Sequence, residues 1–434
     1  MKFSVASDLF PLLAGVLAAL TCGLLGNFLV LRRQSLMGDA ISHSVLPGLV
    51  IAFLIASTRS PLVMFIGAAV AGMATVILVE LVKTLGRVEP GAAMGVVFSV
   101  LFALGVLLIE QAAARHVDLD AECVLHGQLE SLVWYDAPDS IDALLSFKAF
   151  ANVPRQIWTL VGMLTASAAF VLLLFKELRL AAFDPAMATT QGFNATVLHY
   201  LIMLFVAGAT VASFDAVGSI LVIAMLVCPA ATARLLTDRL GPQIVWSLLI
   251  ATGTAVGGYA VASIVPAWFG RDAVNAAGSM AVTAGVLLSA AVVFAPRHGL
   301  ISRVVRRRLL ASKVARDDLL ATLYRAVEAG GPIAIGQARR LLAGRSPSRV
   351  IARAGRLGLV HIDGDVVSLT AAGRAEASEV VRRHRLWEHY LVGEAGLAPD
   401  HVHATAEQLE HLDAAPPIGP ASDPHGRPIP ARDR

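Results

Sequence analysis

The chain has 434 residues, 56% of them hydrophobic and 15% charged, with a mean hydropathy of +0.69, which excludes a single soluble domain and fits a polytopic membrane unit plus something smaller. The formal net charge of +3 is unevenly placed: residues before Ile301 hold 15 Lys and Arg against 17 Asp and Glu, and the shorter remainder holds 20 against 15. A boundary therefore falls near residue 300, and so small a net charge does not by itself argue for a nucleic-acid partner. Cys22, Cys123 and Cys228 are too far apart for a CxxC metal pair or a disulfide framework and read as small apolar residues.

The first residues, MKFSVASDLF, lack the basic n-region and small-residue cleavage site of a signal peptide, so the first apolar run is expected to stay as a transmembrane helix. A span needs roughly 20 mainly apolar residues. Candidates lie near 9–31, 38–57, 61–83, 91–110, 156–175, 197–214, 216–236, 243–265 and 278–295, about nine helices. An odd number puts the termini on opposite sides. Arg32, Arg33, Lys83, Arg87, Lys176, Arg179, Arg234, Arg239, Arg297 and the run 303–308 fall on one face, so the positive-inside rule places the N-terminus outside and the tail in the cytoplasm. The spans are rich in Gly and Ala, as in VMFIGAAVAGMATVIL, which lets helices approach closely and enclose a path.

Within these spans LRRQSLMGDAISHSVLPGL stands out. Asp39 and His43 are four apart, on one face of a helix, and a carboxylate with an imidazole suits a divalent transition ion. Ionisable groups in a membrane helix are costly and usually face a pathway; the alternative is a helix-capping Asp39 beside a packed, hydrogen-bonded His43. The external stretch HVDLDAECVLHGQLE offers Asp118, Asp120, Glu122 and His126, which read as a solvated acidic loop or as a guide for cations. No GxxxxGK[ST] loop occurs, so any ATP-driven function requires a partner.

From Asp317 the pattern changes to soluble helices. DDLLATLYRAVEA places Leu319, Leu320, Leu323 and Val327 on one core-facing side, GPIAIGQARRLLAG follows, and SPSRVIARAGRLG opens with Ser346 as an N-cap. LVHIDGDVVSL alternates about an Asp363-Gly364 turn, and three short helices followed by a hairpin make a winged helix-turn-helix. Arg345, Arg349, Arg353 and Arg356 on the recognition helix are candidates to meet DNA. A helix from about Ala371 to Val392 then carries His384 and Glu388 on one face, and a further helix presents His403, Glu407, Glu410 and His411. Nitrogen and oxygen ligands without thiolate suit manganese, iron or zinc. Six of the 12 histidines lie between His384 and His425.

Two resemblances follow from these motifs. LMGDAISHSVLPG, MGVVFSVLFALGVLL, KELRLAAFDPAMATTQGF and VGSILVIAMLVCPAATARLL, in order across about residues 8–300, resemble the permease subunits of bacterial manganese/zinc/iron importers of the ATP-binding-cassette type. The resemblance implies a transport subunit rather than an enzyme, sited in the bacterial inner membrane. It implies a second permease subunit, a separate cytoplasmic ATPase that hydrolyses ATP, and an extracytoplasmic metal-binding protein. It makes Asp39 and His43 contacts for the ion in transit, and Phe183, Asp184, Pro185 and Gly192 part of a coupling helix that docks on the ATPase. LTAAGRAEASEVVRRHRLWEHYL, HVHATAEQLEH and DPHGRPIP resemble the diphtheria-toxin-repressor-like metalloregulators. By motif position His384, Glu388 and His403 match one metal site, and Glu407, Glu410 and His411 its neighbour, with Asp318 matching a carboxylate of the manganese-responsive branch. Ala321 stands where a second carboxylate is expected, and the Pro-rich LDAAPPIGPAS stands where a dimerisation helix is expected. The expected architecture is thus an all-α polytopic permease (1–300), a basic linker (301–316) and a small cytoplasmic α+β winged-helix domain (317–434) that senses metal. The rival reading is a membrane-tethered, metal-dependent DNA-binding regulator.

Overall fold

A computed structural model describes residues 5–56, 60–113, 129–132, 153–331, 333–341, 347–411 and 421–431. The acidic stretch 118–126, Arg345 and Ser346 lie outside the described residues. The chain divides into two compact units, Met1–Ser302 and Arg303–Arg434.

The first unit is built from α1 (Val5–Leu31), α2 (Met37–Ala56), α3 (Pro61–Gly86), α4 (Pro90–Ala113), α5 (Arg155–Leu173), the short α6 (Phe175–Phe183) and α7 (Pro185–Thr190), α8 (Ala195–Leu236), α9 (Leu240–Trp268) and α10 (Ala276–Phe294). Eight of these, among the described residues, are long and apolar enough to cross a membrane. The sequence reading separates 197–214 from 216–236, and the structure joins them in the 42-residue α8, broken at Gly218 (φ 77°, ψ 168°). A straight helix of that length spans about 63 Å at 1.5 Å per residue, twice a bilayer core. The contacts along α8 show that it folds back instead. His199, near its start, meets Arg32 just past the end of α1. Ser213 lies level with Cys22, further up α1, and Leu226 has returned to the level of Gly26 and Gly38. The break at Gly218 therefore acts as the tip of a hairpin, and its positive φ is one that glycine adopts without penalty. The two legs of α8 count as two passes, which makes nine among the described residues.

In lipid the apolar effect does not hold helix to helix, so small residues and polar contacts carry the packing. A Cβ on Gly26 would stand 1.9 Å from the Leu226 carbonyl oxygen, and one on Gly48 of α2 would stand 2.5 Å from both Ala71 Cβ and the Gly67 oxygen of α3. Polar links add direction. Gln243 Nε2 donates to Asn27 Oδ1 (3.0 Å) and Ser247 Oγ to the Gly23 carbonyl (2.9 Å), tying α9 to α1.

The second unit begins in α11 (Leu300–Glu328) and continues through β1 (Ile333–Ala334), α12 (Ile335–Leu341), α13 (Pro347–Arg356), β2 (Val360–Asp363), β3 (Val366–Leu369), α14 (Ala371–Gly393) and α15 (His403–Leu409). The stretch expected as a separate basic linker, 301–316, is the first half of α11, continuous with the winged-helix domain's first helix. The strands form an antiparallel sheet in the order β1-β3-β2. Gly364, at φ 56°, turns the hairpin as its Asp-Gly pair predicts. Leu319, Leu320 and Leu323 are buried with Ile333, Ile351, Val360 and Val367. Val327, expected on the same face, is 40% exposed because it lies in the last turn of α11, beyond the sheet-covered part. Thr370 caps α14 by accepting from the Gly373 N–H (3.1 Å), and a Cβ on Gly373 would meet the Leu359 carbonyl at 1.8 Å.

Gly26→Ala is expected to destabilise the permease unit by about 1–3 kcal/mol through overpacking. Gly253→Ala, where an added Cβ meets nothing within 4 Å, is expected to be neutral. Thermal unfolding of the detergent-purified variants, followed by monodispersity, checks the contrast.

Candidate metal sites and a candidate docking elbow

Two places bring chemistry together in the first unit. On α2, His43 Nε2 lies 3.3 Å from Asp39 Oδ1, as their spacing of four predicts. His43 also packs between Phe98 and Phe102 of α4, with ring centroids 4.9 and 5.5 Å away. Asp39, His43, Leu46 and Leu49 are partly exposed while most of their neighbours on α2 are buried, so the pair sits on the side of α2 least covered by this subunit. The imidazole and the carboxylate face one another across one turn of the helix.

The second place is the loop between α5 and α8. Asp184 Oδ1 accepts from the Met187 N–H (2.9 Å) and Pro185 occupies the first turn of α7, so α7 starts on a side-chain cap followed by a pre-set φ. Gly192, at φ 88°, ends the turn before Asn194 caps α8. The result is a short rigid elbow presenting Phe183 (55% exposed) and Met187 (49%). Exposed large apolar side chains on so small an element suit a groove in another protein.

In the second unit the predicted ligands fall into two groups that could each hold an ion: His384, Glu388 and His403, and Asp318, Glu410 and His411. In the first, His384 Nε2 lies 3.1 Å from Glu388 Oε1 and 3.0 Å from His403 Nδ1, and His403 Nδ1 lies 2.8 Å from the same carboxylate oxygen. In the second, His411 Nε2 lies 3.2 Å from Asp318 Oδ1 and 3.9 Å from Glu410 Oε1. Burial opposes the charge on Glu388, but the two histidines outweigh it and hold the carboxyl down to about 2. Burial likewise disfavours a charged His384, yet Glu388 and Glu410 raise its pKa above the ordinary value. A protonated His384 and a divalent ion are thus alternatives, since ligation needs the neutral ring.

Three features escaped the sequence reading. His384 joins the groups: its Nδ1 is 2.6 Å from Glu410 Oε2, although the two are not aligned as a hydrogen bond. Asp317, buried beside Asp318, reaches His411 Nδ1 with its Oδ2 at 3.6 Å, and Arg325 approaches Glu410 Oε2 at 3.6 Å. The Asp317-Asp318 doublet was the available signal for the first of these contacts. Conversely, Glu407 is exposed and stands outside both groups: buried Ala406 and Glu410 share the inner side of α15, and Glu407 follows one position round the helix. The chemistry of the donor set fits an ion. Asp317 Oδ2, His384 Nδ1, Glu410 Oε2 and His411 Nδ1 are buried polar atoms without a hydrogen-bond partner, converging on one region.

The recognition-helix arginines Arg349 and Arg353 are exposed, but Arg353 Nη1 donates to Ser312 Oγ of α11 (2.7 Å). Both line a cavity of about 900 Å³ that α13 forms with the first half of α11.

Comparison with known proteins places these features. Residues 9–136 and 147–295 match the ABC 3 transport family. The chain belongs to that family. As an ABC 3 permease it is a multi-pass protein of the cytoplasmic membrane, and it carries in addition a match at residues 370–413 to the metal-binding and dimerisation domain of iron-dependent repressors. It is 40% identical over 292 residues to the manganese transport system membrane protein MntD of Bacillus subtilis, covering 67% of this chain and 93% of that protein. It is 37% identical over 366 residues to the zinc transport system membrane protein TroD of Treponema pallidum, covering 83% and 95%. The second alignment is too long to end within the permease unit, so TroD shares part of the tail. The structure of PsaBC from Streptococcus pneumoniae in complex with Fab superposes with a TM-score of 0.53 at 28% identity, covering 67% of this chain and 92% of that one.

Glu410→Gln is expected to weaken metal binding by the full-length permease about tenfold or more, and Glu407→Gln to leave it unchanged. Competition against a fluorescent metal chelator reads both.

Proposed function

We propose that this permease carries a divalent transition metal ion, manganese, zinc or iron, into the cell, driven by a separate cytoplasmic ATPase. The observation that carries this reading is the Asp39–His43 pair, 3.3 Å apart on a membrane helix. A carboxylate and a neutral imidazole are borderline-hard donors that accept such ions and leave exchangeable positions. Two donors are fewer than the four to six that a divalent ion takes. A second permease subunit, facing the less covered side of α2, supplies the rest. An extracytoplasmic metal-binding protein delivers the ion, the N-terminus lies outside, and the elbow from Phe183 through Asp184 and Pro185 to Gly192 transmits ATPase motion to α8.

The tail reads the product of transport. Asp317 and Asp318 lie on α11, whose first turn follows α10 within a few residues, so an ion drawn between them, Glu410 and His411 acts on the helix that leaves the membrane unit. The ion supplies positive charge where three carboxylates crowd, and His384 ties that site to Glu388 and His403. Ala321 is buried against Val380 and Val381, and with Arg325 on Glu410 this favours one ion in the second group rather than a pair. Binding to DNA as a repressor is disfavoured by Arg353, which is engaged with α11.

Asp39→Ala and His43→Ala are each expected to lower metal uptake at least tenfold with membrane insertion and ATPase association intact; normal uptake in both removes the proposed path. Removing residues 317–434 is expected to leave uptake active but insensitive to internal metal, read as accumulation over rising external manganese. A gel shift with the full-length protein in detergent and manganese is expected to show no sequence-specific band, and a specific band favours the DNA-binding reading.

A further inference from the structure

A second cavity, of about 440 Å³, opens in the permease unit where α1, α3 and α8 begin or end, with α6 and α7 beside it. Its wall includes Arg32, Arg33, Lys83 and Glu80, a surplus of positive charge, together with His199 and Tyr200 of α8. Lys83 Nζ donates to Glu80 Oε1 and Oε2 at 3.0 and 3.1 Å, and its third N–H stays available to an anion beside the two arginines. Arg32 contributes Nη1 to His199 Nδ1 at 2.9 Å, whereas its Nε and Nη2 are buried with no hydrogen-bond partner. Those two nitrogens form the side edge of the guanidinium, the edge that grips a carboxylate or phosphate with two parallel bonds. A buried donor left unsatisfied is unfavourable, so this edge is primed for an anionic partner. Arg33 sits at φ 57°, unusual for a residue other than glycine, so the chain leaves α1 through a bent conformation that sets both arginines against the same cavity.

Depth and surroundings choose among anions. The cavity lies at the ends of membrane helices on the face that the arginine and lysine distribution assigns to the cytoplasm, which is headgroup depth. It lies behind the elbow rather than on it: Ala181, Ala182 and Pro185 turn toward the cavity, while the exposed Phe183 and Met187 are not part of its wall. A docked protein would meet the latter two. Next to the cavity the surface is apolar, with Ile77 one turn before Glu80 on α3 and Leu204 one turn after Tyr200 on α8, 51% and 47% exposed. Acyl chains have somewhere to lie on either side of a charged pocket.

We propose that this cavity is a binding site for the headgroup phosphate of an anionic phospholipid, held by Arg32, Arg33 and Lys83. The phosphate engages the unsatisfied edge of Arg32 after a small shift of the side chain toward the cavity, and Arg33 and Lys83 close over it. The bound lipid then braces the start of α8 against α6 and α7, the elements that form the coupling elbow.

Native mass spectrometry of the full-length protein, released from nanodiscs of phosphatidylcholine with phosphatidylglycerol, tests this. Phosphatidylglycerol is expected to be retained in preference to phosphatidylcholine. The double substitution Arg33→Gln with Lys83→Gln, at accessible side chains that leave the Arg32–His199 contact in place, is expected to reduce that retention about tenfold. Arg32→Gln is expected to reduce it at least as far, with folding checked by monodispersity. Millimolar inorganic phosphate is expected not to displace the lipid. Equal retention of the two lipids, or undiminished retention by the folded double variant, overturns the site; displacement by inorganic phosphate overturns the lipid as its occupant and assigns the pocket to a soluble phosphate.

Discussion

The permease unit depends on how closely its helices approach one another. In a bilayer the lipid tails are as apolar as the side chains, so contact between helices is held by dispersion at short range and by hydrogen bonds that have no water to compete with. At Gly26 the backbone of α1 comes close enough to the Leu226 carbonyl that a single methyl group has no room. That contact fixes the returning leg of α8 against α1, and Asn27, bonded to Gln243 one residue further along, fixes α9 to the same stretch. The Asp39–His43 pair owes its position to this arrangement. Gly38, one residue before Asp39, lies against the Leu226 side chain, so the start of α2 is packed on the helix that Gly26 admits.

A functional division follows along the chain. The proposed ion path lies on a helix with few charges, where two polar side chains stand out and His43 packs against Phe98 and Phe102. The tail uses the opposite strategy: carboxylates and imidazoles are crowded until their protonation states depend on one another, as Glu388 and His384 show. A path must release its ion quickly, and a sensor must hold one long enough to change a protein contact. Few donors serve the first need, and a buried, converging donor set serves the second.

The second unit has the secondary structure of a winged-helix domain, with an unusually long first helix. Its first helix is extended by the basic stretch that leaves the last span, and that extension reaches Arg353 through Ser312. Arg385 instead ties the late DPHGRPIP segment to α11, donating to Glu328 (3.0 Å) and to the Pro428 carbonyl. That contact holds the late segment beside the helix that carries His384 and Glu388.

The sequence by itself determined the passes, the order of the two units and the pairing of candidate ligands along single helices. Apolar runs of bilayer length must become helices because lipid leaves the backbone no other partner, and i, i+4 spacing puts Asp39 with His43 and His384 with Glu388 whatever surrounds them. What only the tertiary structure decided lies at helix ends and between helices, where spacing no longer fixes direction. Glu407 and Glu410 have equal standing in HVHATAEQLEH, but α15 ends at Leu409, and its inward face carries Glu410 to His384 while Glu407 stays in solvent. Asp317 gained its place from a partner 94 positions away in the sequence, His411. The unsatisfied edge of Arg32 belongs to the same class: it depends on what a distant segment, carrying His199, places beside it, and no local pattern encodes that.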